Sequence, residues 1–182
     1  MWPEFKARGY RKTGNNFRLY NSDGWGKIVN IQKSSFSDKD AISFTINTGL
    51  YLVKADTMFE VAREERFLEP DCLVRKRIGN LNGLQKDLWY ELTQATPLEE
   101  VGQEVKKDFL SFILPYLDSI ESEEDICHQI IRERRPKSVE AIRALFDCGY
   151  QDESRQWVEE ELSTTIYRAW RQQLTVFKNS LA

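Results

Sequence analysis

The stretch Ala41-Ile-Ser-Phe-Thr-Ile-Asn-Thr-Gly-Leu-Tyr-Leu52 decides the fold class. Ile42, Phe44 and Ile46 alternate with Ser43, Thr45 and Asn47, the period of two that gives a strand one apolar and one polar face. Working outward, Lys27-Ile-Val-Asn-Ile-Gln-Lys-Ser34 repeats the pattern, with Val29 and Ile31 on the core side and Asn30, Gln32 and Ser34 on the other. Phe17-Arg-Leu-Tyr20 precedes it as a further strand, Phe17 and Leu19 inward and Arg18 outward. The link from Asn21 to Gly26 contains Asp23-Gly24, which tolerates the positive φ of a hairpin turn. Cys72 to Ile78 reads as a fourth strand, with Val74 and Ile78 inward and Arg75 and Arg77 outward. Gly79 to Gly83 turns the chain, and Trp89 to Leu92 reads as a fifth, short strand. Residues 55–69 are mixed, with a helical turn around Met58 to Ala62. A short helix over Pro3 to Arg8 stops at Gly9, and Arg11 to Asn16 reads as a turn-rich link.

The second half has helical periodicity. Thr96-Pro97 is a helix start with Pro97 at the first helical position. Val101, Val105, Phe109, Phe112, Ile113 and Tyr116 recur down to about Leu117, where Pro115 disturbs the last turn. Ser122 caps a helix carrying Ile126, Ile130 and Ile131, and the acidic run at 121–125 suits its positive end. Another helix spans about Ser138 to Phe146. The last is expected to be long, Glu153 to Lys178, with an apolar stripe of Trp157, Val158, Leu162, Ile166, Ala169, Trp170, Leu174 and Phe177. Strands followed by helices predict an α+β fold. The expectation is an antiparallel sheet of four to five strands packed by helices over residues 1–120, with a helical C-terminal extension over 121–182 packed on the same core.

Composition narrows the function classes. Of 182 residues, 41% are hydrophobic and 30% charged, as in a soluble globular chain. The formal net charge of −3 gives no global pull towards nucleic acid or anionic membrane. It is unevenly spread: 17 Asp/Glu against 11 Lys/Arg over 97–182, a balance of −6, and 12 against 15 over 1–96, a balance of +3. No apolar run reaches the length of a membrane span and no signal peptide is visible, so a cytoplasmic location is expected. Cys72, Cys127 and Cys148 then read as free thiols. Asp125 and the single histidine, His128, share a helix face, but two ligands are too few for a closed zinc site, so no metal is expected.

No catalytic motif is present. Gly24-Trp-Gly26-Lys27 lacks the spacing of a phosphate-binding loop and precedes a strand rather than a helix. There is no Gly-x-Gly-x-x-Gly and no Gly-x-Ser-x-Gly elbow, and no cofactor is expected. The runs Glu64-Glu65, Glu99-Glu100, Glu123-Glu124-Asp125 and Glu159-Glu160-Glu161 read as solvated faces. The candidate binding face is the polar side of the sheet, where Gln32, Ser34, Asn47, Arg75 and Arg77 offer hydrogen-bond donors. Two arginines two apart on a strand project to one side, so they require either an internal carboxylate or an anionic ligand. Near the start, Tyr10, Phe17, Tyr20 and Trp25 interleave with Lys6, Arg8, Arg11, Lys12 and Arg18. Single-strand binders use that mixture, but it is more simply an amphipathic hairpin edge.

The series Phe5-Lys-Ala-Arg-Gly-Tyr10-Arg-Lys-Thr-Gly14-Asn-Asn-Phe17, Val29-Asn-Ile-Gln32-Lys-Ser34, Phe44-Thr-Ile-Asn47-Thr-Gly-Leu-Tyr51, Cys72-Leu-Val-Arg75-Lys-Arg77-Ile-Gly79 and Trp89 resembles the domain-of-unknown-function family numbered 4304, over roughly residues 5–120. Leu114-Pro115 followed by Asp118 is also similar to that family. The resemblance implies a small bacterial-type α+β domain with no assigned activity and supplies no catalytic residues. It also implies a longer helix before Gly9 than the eight residues present.

Two function classes follow. The first is a non-catalytic binding or protein-interaction module, of the immunity or accessory kind, with a protein partner. The second is an enzyme of unfamiliar type that binds an anionic substrate at the arginines. A concave pocket joining the arginines to a carboxylate or to Cys72 favours the second; a flat or covered face favours the first. No nucleic acid and no membrane are expected as partners, and the chain is expected to be a monomer or a homodimer through its C-terminal helix.

Overall fold

The computed structural model describes residues 1–58, 63–83, 86–134 and 138–180. Among these, six strands form one antiparallel sheet: β1 (Arg11–Thr13), β2 (Asn16–Tyr20), β3 (Trp25–Lys33), β4 (Ala41–Leu52), β5 (Val74–Arg77) and β6 (Tyr90–Thr93). The order is β1-β2-β3-β4-β5, and β6 pairs with the opening residues of β4. β1 lies where the sequence reads a turn-rich link: Gly14, at φ +58, lets Arg11–Thr13 fold back on β2. The helical turn expected around residues 58–62 falls largely outside the described residues. Its flanks form short 3-10 turns at Val53–Met58, Glu64–Arg66 and Glu69–Asp71.

Register sorts the side chains. Ile31 lies opposite Ile46, Val29 opposite Thr48 and Leu50 opposite Val74. Opposed residues share a face, so Ile31, Phe44, Ile46 and Val74 all turn to the main core, Ile46 and Val74 fully buried and Ile31 and Phe44 partly. Ile42, at the outer end of β4, is exposed rather than buried.

The helices are α1 (Trp2–Ala7), α2 (Ile78–Leu81), α3 (Leu98–Asp108), α4 (Leu114–Asp118), α5 (Glu123–Glu133), α6 (Val139–Asp147), α7 (Gln151–Thr164) and α8 (Arg168–Ser180). Pro97 caps α3 and the helix begins one residue later, at Leu98. A π turn, Phe109–Ile113, joins α3 to α4. It falls just before Pro115, which has no N–H to give to the preceding turn. Ser122 accepts from the Asp125 N–H, and the Asp125 carboxylate accepts in return from the Ser122 N–H, closing a capping box.

The long terminal helix is a correction: the chain breaks at residues 165–167 into α7 and α8. Ser163 and Thr164 hydroxyls bond to the Glu160 carbonyl, and Arg171 donates to the carbonyls of Leu162 and Thr165. These bonds satisfy the end of α7, and two successive threonines and Ile166 are poor helix formers. The break lets α8 fold back on α7 and α6. It buries Trp157, Val158, Leu174 and Phe177, leaves Trp170 half-buried with its indole N–H on Glu161, and turns Ile166 out, 87% exposed.

One apolar cluster runs from Phe5 through the sheet to Phe177. Inside it lies a charge, Lys27, only 6% exposed. Its ammonium donates to the carbonyls of Leu117, at 2.6 Å, and Ile120, at the end of α4, where carbonyls lack intrahelical partners. Burial lowers its pKa, against the pull of Asp118, Glu121 and Asp125. No described helix is long and apolar enough to cross a membrane.

Candidate functional site

The second face of the sheet is only partly open. Chain folds over it between residues 63 and 72, burying a small separate core of Ile28, Tyr51, Phe67 and Cys72. Phe67 stacks flat on Tyr51 at 4.3 Å. Two glycines make the room: a Cβ on Gly26 would lie 2.7 Å from the Phe67 ring, and one on Gly49 would lie 2.5 Å from Cys72 Sγ. Buried Asp56 ties this covering segment to the sheet. It accepts from the Tyr51 hydroxyl (2.6 Å), the Arg63 amide (2.8 Å) and the Arg63 guanidinium (2.6 Å). The Tyr51 hydroxyl is thereby held protonated, its pKa raised by burial and by the Asp56 hydrogen bond.

Across the uncovered part runs a polar row. Asn16, Asn30, Asn47 and Arg77 stand directly opposite one another on β2, β3, β4 and β5. Asn30 donates to Asn16, and buried Asn47 donates to Gln32, both at 2.8 Å. Arg77 bonds Asp87 at 2.8 Å and lies 5.5 Å from the centre of the Trp89 ring. Arg75 forks onto Glu69, with Nε to Oε1 at 2.8 Å and Nη2 to Oε2 at 3.0 Å. Ser34, at the far end of β3, accepts from the Phe36 N–H. The structure therefore brings Gln32, Asn47 and Arg77 together, sets Arg75 further along β5 and leaves Ser34 at the hairpin tip. Both arginines have internal carboxylates.

Arg75 also lines a cleft of about 730 Å³ at the β5 end of the sheet. Cys72, Leu73, Arg75 and Lys76 form one wall, Asp56, Arg63 and Asp71 another, and Asn80, Glu133, Ser138 and Glu140 line the rest. Its cations are paired: Arg63 with Asp56 and Asp71, Arg75 with Glu69, and Lys76 with Glu133. Cys72 faces the same space, its thiol pushed well up by burial and by the carboxylates of Glu69 and Asp71. Sequence reading missed Arg63, Lys76 and Glu133, because these partners come from three separate elements.

Cys72, Cys127 and Cys148 are unbridged. His128 contacts the Tyr150 hydroxyl at 3.2 Å, and the described residues hold no group of three or more metal-ligating side chains. A six-stranded antiparallel sheet, helices on one face and a covering segment on the other, defines an α+β domain. The chain belongs to the family described as Domain of unknown function (DUF4304), matched over residues 1–119. No curated protein and no solved structure matches it.

Proposed function

We propose that the chain is a non-catalytic binding module that takes a polypeptide segment of a partner protein in the cleft beside β5. One observation carries the reading: the terminal strand of the sheet borders a large cleft in which each lining cation, Arg63, Arg75 and Lys76, is already paired with a carboxylate. An edge strand offers main-chain groups to an added strand, and locked ion pairs give a pre-ordered rim. The cations that would bind an anionic substrate are here committed to internal carboxylates. Asn80 is exposed, lines the cleft and has no side-chain hydrogen bond among the described residues, so Asn80→Trp blocks the space without unpairing a charge. Peptides selected from a random displayed library are expected to lose about tenfold or more in affinity for Asn80→Trp at unchanged Tm, as when a hot-spot pocket is filled. Selected peptides that bind Asn80→Trp as tightly as the parent contradict the reading.

A second reading, an enzyme acting on an anionic substrate, is favoured by the concavity that joins Arg75 to Cys72 and to carboxylates. It needs a thiolate at Cys72, whereas burial raises that thiol. Alkylation of Cys72 by iodoacetamide at neutral pH is expected to be slower than in the unfolded chain. Alkylation faster than in the unfolded chain would favour the enzyme.

A further inference from the structure

At the opposite end of the sheet from the β5 cleft, the register sets two like charges face to face. Arg11 of β1 lies directly opposite Arg18 of β2, an arrangement that costs stability unless something compensates it. A third guanidinium, Arg66, enters from the 3-10 turn Glu64–Arg66, and all three line one cleft of about 510 Å³ together with Thr13, Tyr20 and Glu65. Three cations there face one carboxylate, and Glu65 already accepts from Arg11 at 2.8 Å. Arg18 gives one Nη1 bond, 2.8 Å, to the Glu65 carbonyl, while its Nε is buried with no acceptor. Among the described residues the Arg66 side chain has no hydrogen-bond or ion-pair partner, and Glu64 and Asp56 stand outside the lining, Asp56 held by Arg63.

We infer that this cleft is a binding site for a phosphate monoester group. Three forked donors against one carboxylate leave a balance of +2, which matches the roughly −1.5 to −2 charge of a phosphomonoester at neutral pH. Guanidinium forks pair with phosphate oxygens in a bidentate manner. Arg18 Nε is a donor without an acceptor among the described residues, and turning its fork onto an anion satisfies that N–H and relieves the repulsion from Arg11. The Thr13 and Tyr20 hydroxyls supply neutral donors on the rim. The turn carrying Glu65 and Arg66 is entered through Glu64 at φ +45, a left-handed backbone that a non-glycine residue keeps only when its surroundings hold it.

The probe is phenyl phosphate, with dimethyl phosphate as the singly charged diester, followed by the arginine Nε–H signals in proton–nitrogen correlation spectra. Phenyl phosphate is expected to shift the Arg18 Nε–H signal and to weaken as pH falls below about 6, where it gains a proton. Arg66→Gln removes a side chain with no hydrogen bond or ion pair among the described residues and should keep the fold. It is expected to bind phenyl phosphate about tenfold more weakly, the loss of one charge-assisted contact. The inference is overturned if phenyl phosphate at millimolar concentration leaves the Arg18 signal unmoved, or if Arg66→Gln binds it as well as the parent. Equal binding of dimethyl phosphate would overturn it too, pointing to a phosphodiester such as a nucleic-acid backbone. The Asn80→Trp variant should bind phenyl phosphate normally, so failure here and failure at the β5 cleft are read separately.

Discussion

Phe5→Ala is expected to lower the unfolding free energy by about 3–5 kcal/mol, the cost of emptying a fully buried aromatic site. Phe5 has no exposed surface, and its ring lies 4.8 Å from both Tyr10 and Phe17 and 4.9 Å from Phe109. It is the one buried residue of α1, a six-residue helix too short to persist without tertiary contacts. Its loss should undock α1 as well as leave a cavity between β2 and the π turn. Urea denaturation checks this through the midpoint at constant slope. A loss below about 1 kcal/mol would mean that α1 does not anchor the core.

Lys27→Met is the second large effect, expected to cost about 1–3 kcal/mol. Methionine keeps the apolar stem but leaves the Ile120 carbonyl without the ammonium that satisfies it, while the Leu117 carbonyl keeps the Ile120 N–H at 3.2 Å; an unpaired buried acceptor costs about 1–3 kcal/mol. The gain from no longer burying a charge offsets part of this, since burial already disfavours the cation. The same denaturation series measures it. A variant as stable as the parent would mean that water, rather than Lys27, satisfies the end of α4.

The parts of the fold that the sequence announces are those where a local pattern meets one neighbour. The alternation in β4 places Ile46 and Asn47 on opposite faces, and the Ser122–Asp125 box starts α5. What it conceals depends on distance or on backbone shape. β1 is three exposed residues with no apolar rhythm, held by pairing with β2. The break before α8 comes from hydroxyl bonds that compete with an otherwise continuous stripe at Leu162, Ile166 and Trp170. Gly26 and Gly49 read as gaps in two strands, yet each makes the space into which the covering segment packs Phe67 or Cys72. At the polar face, the requirement for an internal carboxylate or an anion was legible from the Arg75–Arg77 spacing. The two carboxylates, Glu69 and Asp87, were not, because one opens a short 3-10 turn and the other lies in a loop, neither with a periodic signature.

The central claim is that Arg75 is committed to Glu69, clamping the covering segment to β5 and fixing the wall of the cleft. Glu69 is 7% exposed, so removing Arg75 strands a buried carboxylate. The direct test is a double-mutant cycle of Arg75→Ala and Glu69→Gln followed by denaturation. Each single change is expected to destabilise, with a coupling energy of about 1–2 kcal/mol, moderated because the arginine is half-exposed. Single effects that add to within about 0.3–0.5 kcal/mol would contradict the account and return Arg75 to the solvated face of an ordinary sheet.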